Sequence, residues 1–238
     1  MDGRRRRPLW RAIASAAEVA GRRDSWAQTV CLACVETLGQ VDAAILALRG
    51  GSHAEEVLGA SEQGAADLAE AQYTVGEGPG VEAFTSGSPV LVPDLNIEQV
   101  RWPGFAQAAL ASGVAAMFAF PLQLGAIRLG TLELIRHSPG GLPSDELRDA
   151  VLAADLGAAA LLRQARSAEA EGHEFAPEPV RSYQDVNVAT GMLAAQLHIG
   201  LDDAFTRLRA HAYSRNRSIL EVARDVLKRR IVLDELAE

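Results

Sequence analysis

Two kinds of apolar pattern alternate along the chain. Residues 25–38 place apolar side chains at helical spacing, whereas Ala43–Leu48 is an uninterrupted apolar run stopped by Gly50 and Gly51, as in a short buried strand. Residues 65–71 read as a helix. Pro89–Pro93 reads as a brief strand that its prolines push to a sheet edge. A helix over 105–111 ends at Gly113. Residues 115–124 and 128–136 follow as two strands around a turn at Gly125, a hairpin signal. Ser144, followed by Asp145 and Glu146, opens a long helix reaching about Arg166, with Ser144 as N-cap and acids in the first turn. Strands paired antiparallel in sequence order, with helices at both ends, predict an α+β layer of sheet and helices.

The pattern changes after residue 166. Residues 167–179 are acidic, contain Pro177 and Pro179, and read as a linker. Beyond it, three amphipathic helices are expected. The first, about 180–197, has Val186, Ala189, Leu193 and Leu197 on one face. The second, about 202–214, buries Ala204, Phe205, Leu208 and Ala212. The third has Ile219, Val222, Ala223 and Val226 inward. Asn216 tolerates a left-handed turn, and Ser218 with Glu221 forms a capping box. This periodicity predicts an all-α three-helix bundle and nothing more. The expected divisions are a basic arm with a short helix at 1–23, an α+β domain at 24–166, the linker at 167–179 and the bundle at 180–238.

Charge follows these divisions. The net charge of −8 combines 7 Lys and Arg against 2 Asp and Glu in residues 1–23, 7 against 21 in residues 24–179, and 9 against 8 in residues 180–238. Residues 206–230 carry eight basic side chains against Glu221 and Asp225, the footprint of a polyanion partner or, equally, of a solvated helix face. The arm Arg4–Arg7 reads as a disordered tail or as a source of nonspecific nucleic-acid affinity. No apolar run is long enough to span a bilayer or to serve as a signal peptide, so a soluble, cytoplasmic chain is expected. Cys31 and Cys34 form a CxxC inside an amphipathic helix, with no second pair to complete a metal site, and read as core. The five histidines are scattered, and no metal is expected.

Val75–Gly80, Gly87–Asp94, Arg101–Phe105 and Ala119–Leu122 leading into Leu129–Leu134 resemble a GAF sensory domain in order and spacing. They are similar to the GAF subgroup that accompanies ANTAR domains in actinobacteria. The resemblance implies a central antiparallel sheet flanked by helices, able to enclose a small-molecule ligand. The Ala-rich strand 115–120 favours a packed core over a cavity, so no cofactor is assigned. Gly76–Gly80 is turn chemistry, and no Walker lysine follows it. Leu147, Val151, Ala154, Ala158, Leu161 and Ala165 form a stripe that suits either a homodimer seam or the sheet's own cover; a homodimer is expected.

Val186–Met192, Asp203–Arg209, His211–Tyr213, Asn216–Arg217 and Leu220–Ala223 resemble the ANTAR motif over roughly 180–233. That resemblance implies binding of paired RNA hairpins in mRNA leaders and antitermination of transcription. Its exposed small and aromatic positions match Ala189, Gly191, Ala212 and Tyr213. Thr190 stands where many members have lysine, which removes one phosphate contact. Loop bases stack on aromatic or arginine side chains. Tyr213 is therefore the candidate platform, Arg207, Arg215 and Arg217 the phosphate contacts, and Arg209 and Asn216 further candidates. Tyr213 could instead close the bundle edge, and Arg209 could be structural. A DNA-binding helix-turn-helix and a dimeric protein-interaction adaptor remain the other readings. No catalytic set stands out, so no enzyme is expected. A signal in the GAF domain is expected to act through helix packing across residues 145–185.

Overall fold

A computed structural model describes residues 26–50, 54–173, 175 and 178–231; the basic arm at 1–23 lies outside them. The elements are α1 (Trp26–Thr37), β1 (Ala43–Gly50), β2 (Ala54–Ala60), α2 (Gln63–Val75), α3 (Pro79–Ser86), β3 (Val90–Val92) and α4 (Pro103–Ala111). They continue with β4 (Ala116–Leu124), β5 (Ile127–Arg136), α5 (Ser144–Ala170), β6 (Arg181–Ser182), α6 (Gln184–Leu197), α7 (Leu201–Ser214) and α8 (Ile219–Leu227). The strands form one sheet in the order β3-β4-β5-β1-β2-β6, every neighbouring pair antiparallel.

The sheet is covered on both faces, which is why β1 reads as a continuous apolar run rather than an alternation. Ala43, Ile45 and Ala47 face one core and Ala44 and Leu46 the other, because successive side chains of a strand point to opposite faces. The second core holds α1 and α5. Ala150, Ala154, Ala158 and Leu161 are buried there, and Gly157 lets the helix lie close to Leu46 and Leu122. The small-residue stripe of α5 therefore serves chiefly as the sheet's own cover; Val151 is its exposed member. Ser144 is the first helical residue, after Pro143 at the N-cap position, and makes no capping bond, contrary to the expected N-cap.

Two elements are hidden in the sequence pattern. Strand β2 contains Glu55 and Glu56, which break the apolar signal, yet Glu55 is buried. Helix α3 follows the glycine run directly. Pro79 at its first turn is preset for helical φ, and Gly87 ends it in a left-handed conformation at φ 70°.

The chain after α5 returns to the sheet before the bundle begins. The Val180 amide donates to the Val57 carbonyl at 2.8 Å, Arg181 and Ser182 pair with Val57 and Glu56, and the Ser182 hydroxyl donates to Glu56 at 2.9 Å. The bundle's first helix thus starts at Gln184, not near 180. The apolar stripes of α6, α7 and α8 then run without a break into the core above the sheet.

Candidate nucleic-acid interface

The bundle's interior is the one its periodicity predicts. Val186, Ala189 and Leu193 of α6, Ala204, Phe205, Leu208 and Ala212 of α7, and Ile219, Val222, Ala223 and Val226 of α8 are all buried. Ala189 and Ala212, expected at the surface, therefore point inward, because each shares the helical stripe of its larger apolar neighbours. Thr190 is also buried, and its hydroxyl donates back to the Val186 carbonyl at 2.7 Å, as threonine does inside a helix. Gly191 is half-buried, with open space where a side chain would stand.

The exposed candidates gather at the end of α7 and the turn that follows. Tyr213 is 62% exposed. Arg215 and Asn216 are exposed, and Asn216 takes the left-handed conformation at φ 50° that lets the chain reverse. Ser218 accepts a hydrogen bond from the Glu221 amide at 3.1 Å and so caps α8. The Glu221 carboxylate lies 3.8 Å from Arg217. Arg217 also donates to Asp225 at 2.7 Å, which together with Arg230 holds the Asp225 carboxyl below the usual range. Arg224 donates to Asp185 at 3.2 Å. Arg207 is half-buried on α7, away from this cluster in the chain. Arg224 and Asp185 join the surface without having been singled out in the sequence.

Arg209 has a different setting. Its Nε donates to the carbonyls of Tyr73 (3.1 Å) and Thr74 (3.2 Å), and its Nη2 donates to Tyr73 (3.0 Å). These carbonyls belong to the last turn of α2, where helix geometry leaves oxygens without intrahelical partners. Phe205 lies beneath the guanidinium at 4.9 Å, and burial lowers the Arg209 pKa against the pull of Tyr73 and Glu55. Tyr73 in turn stacks on Tyr183 at 4.2 Å. Between α2 and α4 on one side and the bundle on the other runs a groove of about 1010 Å³. Asp67, Glu70 and Gln107 line its sheet-domain wall, and Tyr213, Asn216 and Arg217 the bundle wall.

A family model described as GAF domain matches residues 22–162, and one described as ANTAR domain matches residues 179–227. The chain belongs to the GAF domain family and carries an ANTAR domain behind it. The GAF domain of a phosphoenolpyruvate-protein phosphotransferase from Coxiella burnetii is similar in fold. It shares 16% identity at a TM-score of 0.51, over 69% of this chain and 98% of that one. The corresponding GAF domain from Acinetobacter gives 10% identity and a TM-score of 0.52 over 70% and 97%. A free methionine-R-sulfoxide reductase from Neisseria meningitidis, in complex with its substrate, gives 10% and 0.50 over 70% and 96%. At these identities the likeness is one of fold. No curated protein matches the chain. A GAF domain followed by an ANTAR domain is the order of a regulator with a sensor domain. Among the described residues, no helix is long and apolar enough to cross a membrane.

Inside the GAF domain, the space between the sheet and α2–α3 is filled by a polar network. Gln72 donates to Glu133 at 2.6 Å and accepts from the Gly80 amide at 2.9 Å. Thr131 donates to Glu133 at 2.8 Å, and Arg49 lies 3.3 Å from Glu133 and 2.8 Å from Glu55. A side chain at Gly80 would overlap the Glu133 carboxylate, which gives that glycine its role: close approach. Glu77 accepts from the amides of Gly104 (2.6 Å) and Phe105 (3.1 Å), placing a carboxylate at the start of α4. Cys31 and Cys34 are buried, and burial raises both thiols, Cys34 to about 12, which matches their reading as core rather than redox groups.

Glu55 is the group in this network whose charge is least secure. Burial raises its pKa from 4.5 to about 7, although Arg49 works in the opposite direction. A raised folded pKa means that the native chain binds the proton more tightly than the unfolded one. The resulting stability is present below the unfolded pKa and is lost as pH rises through the folded value. Native stability is therefore expected to fall by roughly 3 kcal/mol more between pH 4.5 and 8 in the wild type than in Glu55→Gln. Urea unfolding at a series of pH values checks this; parallel curves for the two proteins would contradict it.

Proposed function

We propose that this protein is an RNA-binding regulator of transcription antitermination, with the ANTAR domain holding hairpin RNA and the GAF domain receiving the signal. The observation that carries the reading is the cluster of Tyr213, Arg215, Asn216 and Arg217 at one turn of the bundle. It sets an exposed aromatic face beside cationic and amide groups. Unpaired loop bases are recognised by that combination, stacking on the ring while the cations meet the phosphates. Ala189, Thr190 and Ala212 are buried in the bundle that carries this turn, and Gly191 has open space where a side chain would stand. Domain limits near 24–166 and 180–238 fit this reading, with Val180–Ser182 fastened to the sheet edge between them. Paired hairpins call for two ANTAR domains, and hence for a homodimer.

The test is a binding titration with tandem-hairpin RNA, single-hairpin RNA and duplex DNA, with the mass of the complex measured by light scattering. The wild type is expected to prefer the tandem RNA and to bind it as a dimer. Tyr213→Ala is expected to lose roughly 5- to 150-fold in affinity, the stacking of one base. Arg215→Ala with Arg217→Ala is expected to reduce the salt dependence as well as the affinity. Preference for duplex DNA would favour a helix-turn-helix regulator instead. Binding to neither would leave a protein-interaction adaptor.

A further inference from the structure

Two helix ends complete each other across the domain boundary. The last turn of α2 has no basic residue of its own, and its Tyr73 and Thr74 carbonyls accept hydrogen bonds from Arg209 of the ANTAR domain. The first amide of α8, Ile219, donates in return to the Thr74 hydroxyl at 3.2 Å. Gly76 and Ser218 cap these two ends locally, and each domain adds a partner for a group that the other's cap leaves over. Gly76 makes the fit possible. It ends α2 at φ 75°, and a side chain there would overlap the Arg209 guanidinium. A second anchor lies at the sheet edge, where Arg181 pairs with Asp67 at 2.6 Å and also with Glu70.

The same docking engages the surface proposed to hold RNA. Arg209, one of its candidate residues, is committed to α2. Tyr213 stands at the groove's lip with its ring edge 3.4 Å from where a side chain at Gly104 of α4 would begin. Asp67 and Glu70, held by their ion pairs with Arg181, line the same groove as Asn216 and Arg217. Beneath these polar contacts Tyr73 of α2 also packs on Tyr183 and Phe205, so opening costs apolar burial as well as hydrogen bonds, and the open form is the minor one. From these observations we infer that the GAF domain autoinhibits the ANTAR domain, with Arg209 clasped over the end of α2, and that RNA binding requires this clasp to open. The inference rests on the RNA-binding reading above. It moves the point of coupling from the long helix and linker at 145–185 to the junction of α2, α7 and α8. A chain whose competent form is a minor fraction binds more weakly by that fraction, and shifting the equilibrium restores the affinity.

The test changes only the GAF side, leaving every candidate RNA contact intact. Gly76→Asn keeps a residue that tolerates the left-handed conformation while displacing the guanidinium. Asp67→Ala with Glu70→Ala releases Arg181 independently, and carries the test alone if the first variant does not fold. Glu36→Ala with Asp155→Ala, both at exposed positions elsewhere, removes the same charge without touching the clasp. Affinity of the full chains for tandem-hairpin RNA is measured beside hydrogen exchange at the Ile219 amide. Expected is at least tenfold tighter binding in both clasp variants, faster exchange at Ile219 and no such gain in the charge control. Faster exchange with wild-type affinity would overturn the autoinhibition while leaving RNA binding in place. No binding by any form, with exchange showing the clasp open, would remove the RNA reading and this inference with it. An equal gain in the charge control would assign the effect to net charge and overturn the clasp.

Discussion

Glu133→Ala is expected to destabilise the GAF domain by roughly 3–5 kcal/mol, the cost of breaking a buried ion pair from one side. Glu133 has no exposed surface and accepts hydrogen bonds from Gln72, Thr131 and Arg49. Alanine would leave the Gln72 amide without its acceptor and Arg49 with Glu55 as its remaining buried counter-charge. It would also open space beneath α3 that Gly80 was shaped to leave for the carboxylate. Glu133→Gln retains a side-chain acceptor of the same size and is expected to cost less than alanine. The difference between the two separates packing and hydrogen bonding from charge. Urea-induced unfolding followed by fluorescence provides the measurement. A loss below about 1 kcal/mol for alanine would mean that water enters and replaces the carboxylate.

The second large effect is steric. Gly59 lies in β2 directly under α1, and a methyl group there would overlap the Ala27 carbonyl and the Gln28 amide. These are backbone atoms, so relief requires shifting the whole helix rather than rotating a side chain. Gly59→Ala is therefore expected to cost about 3 kcal/mol, the upper part of the usual range for overpacking. For a chain of this size that lowers the melting temperature by roughly 6–12 °C. Gly141→Ala, where nothing lies within 4 Å, serves as the comparison in the same thermal scan. Equal melting temperatures for the two variants would show that α1 sits less tightly on the sheet than described.

Elements whose signals are local were legible in the sequence. The apolar run of β1, the β4–β5 hairpin around Gly125 and the three stripes of the bundle depend on residues near one another, and all three were visible. Strand β2 was not, because Glu55 is buried by virtue of Arg49 on the neighbouring strand, and a partner across the sheet leaves no trace in the local pattern. Strand β6 escaped for the same reason: two residues carry no periodicity, and their pairing with Glu56 and Val57 is nonlocal.

The candidate interface divides in the same way. The turn at Asn216 and the cap at Ser218 followed from residue type. Ala189 and Ala212 were assigned outward from family resemblance, although their own helical spacing with Val186, Leu193, Phe205 and Leu208 placed them inward. A structural Arg209 is one of the two readings its sequence allows, but the partner was beyond reach. That partner is a helix end 136 residues away, admitted by a single glycine.

The two-residue strand β6 also has a consequence for how the chain is made. Its Ser182 meets Glu56 across 126 residues, so it cannot form until synthesis has passed the whole GAF domain. The other five strands are complete at Arg136, and until residue 182 has been added β2 is an unpaired sheet edge. At ordinary rates of synthesis that interval lasts roughly 2–9 seconds. Glu56 stands on that edge throughout, and charges at an unpaired strand guard against joining another chain. One of the two carboxylates that obscure β2 in the sequence is thus placed to guard the open edge until Ser182 arrives to bond it.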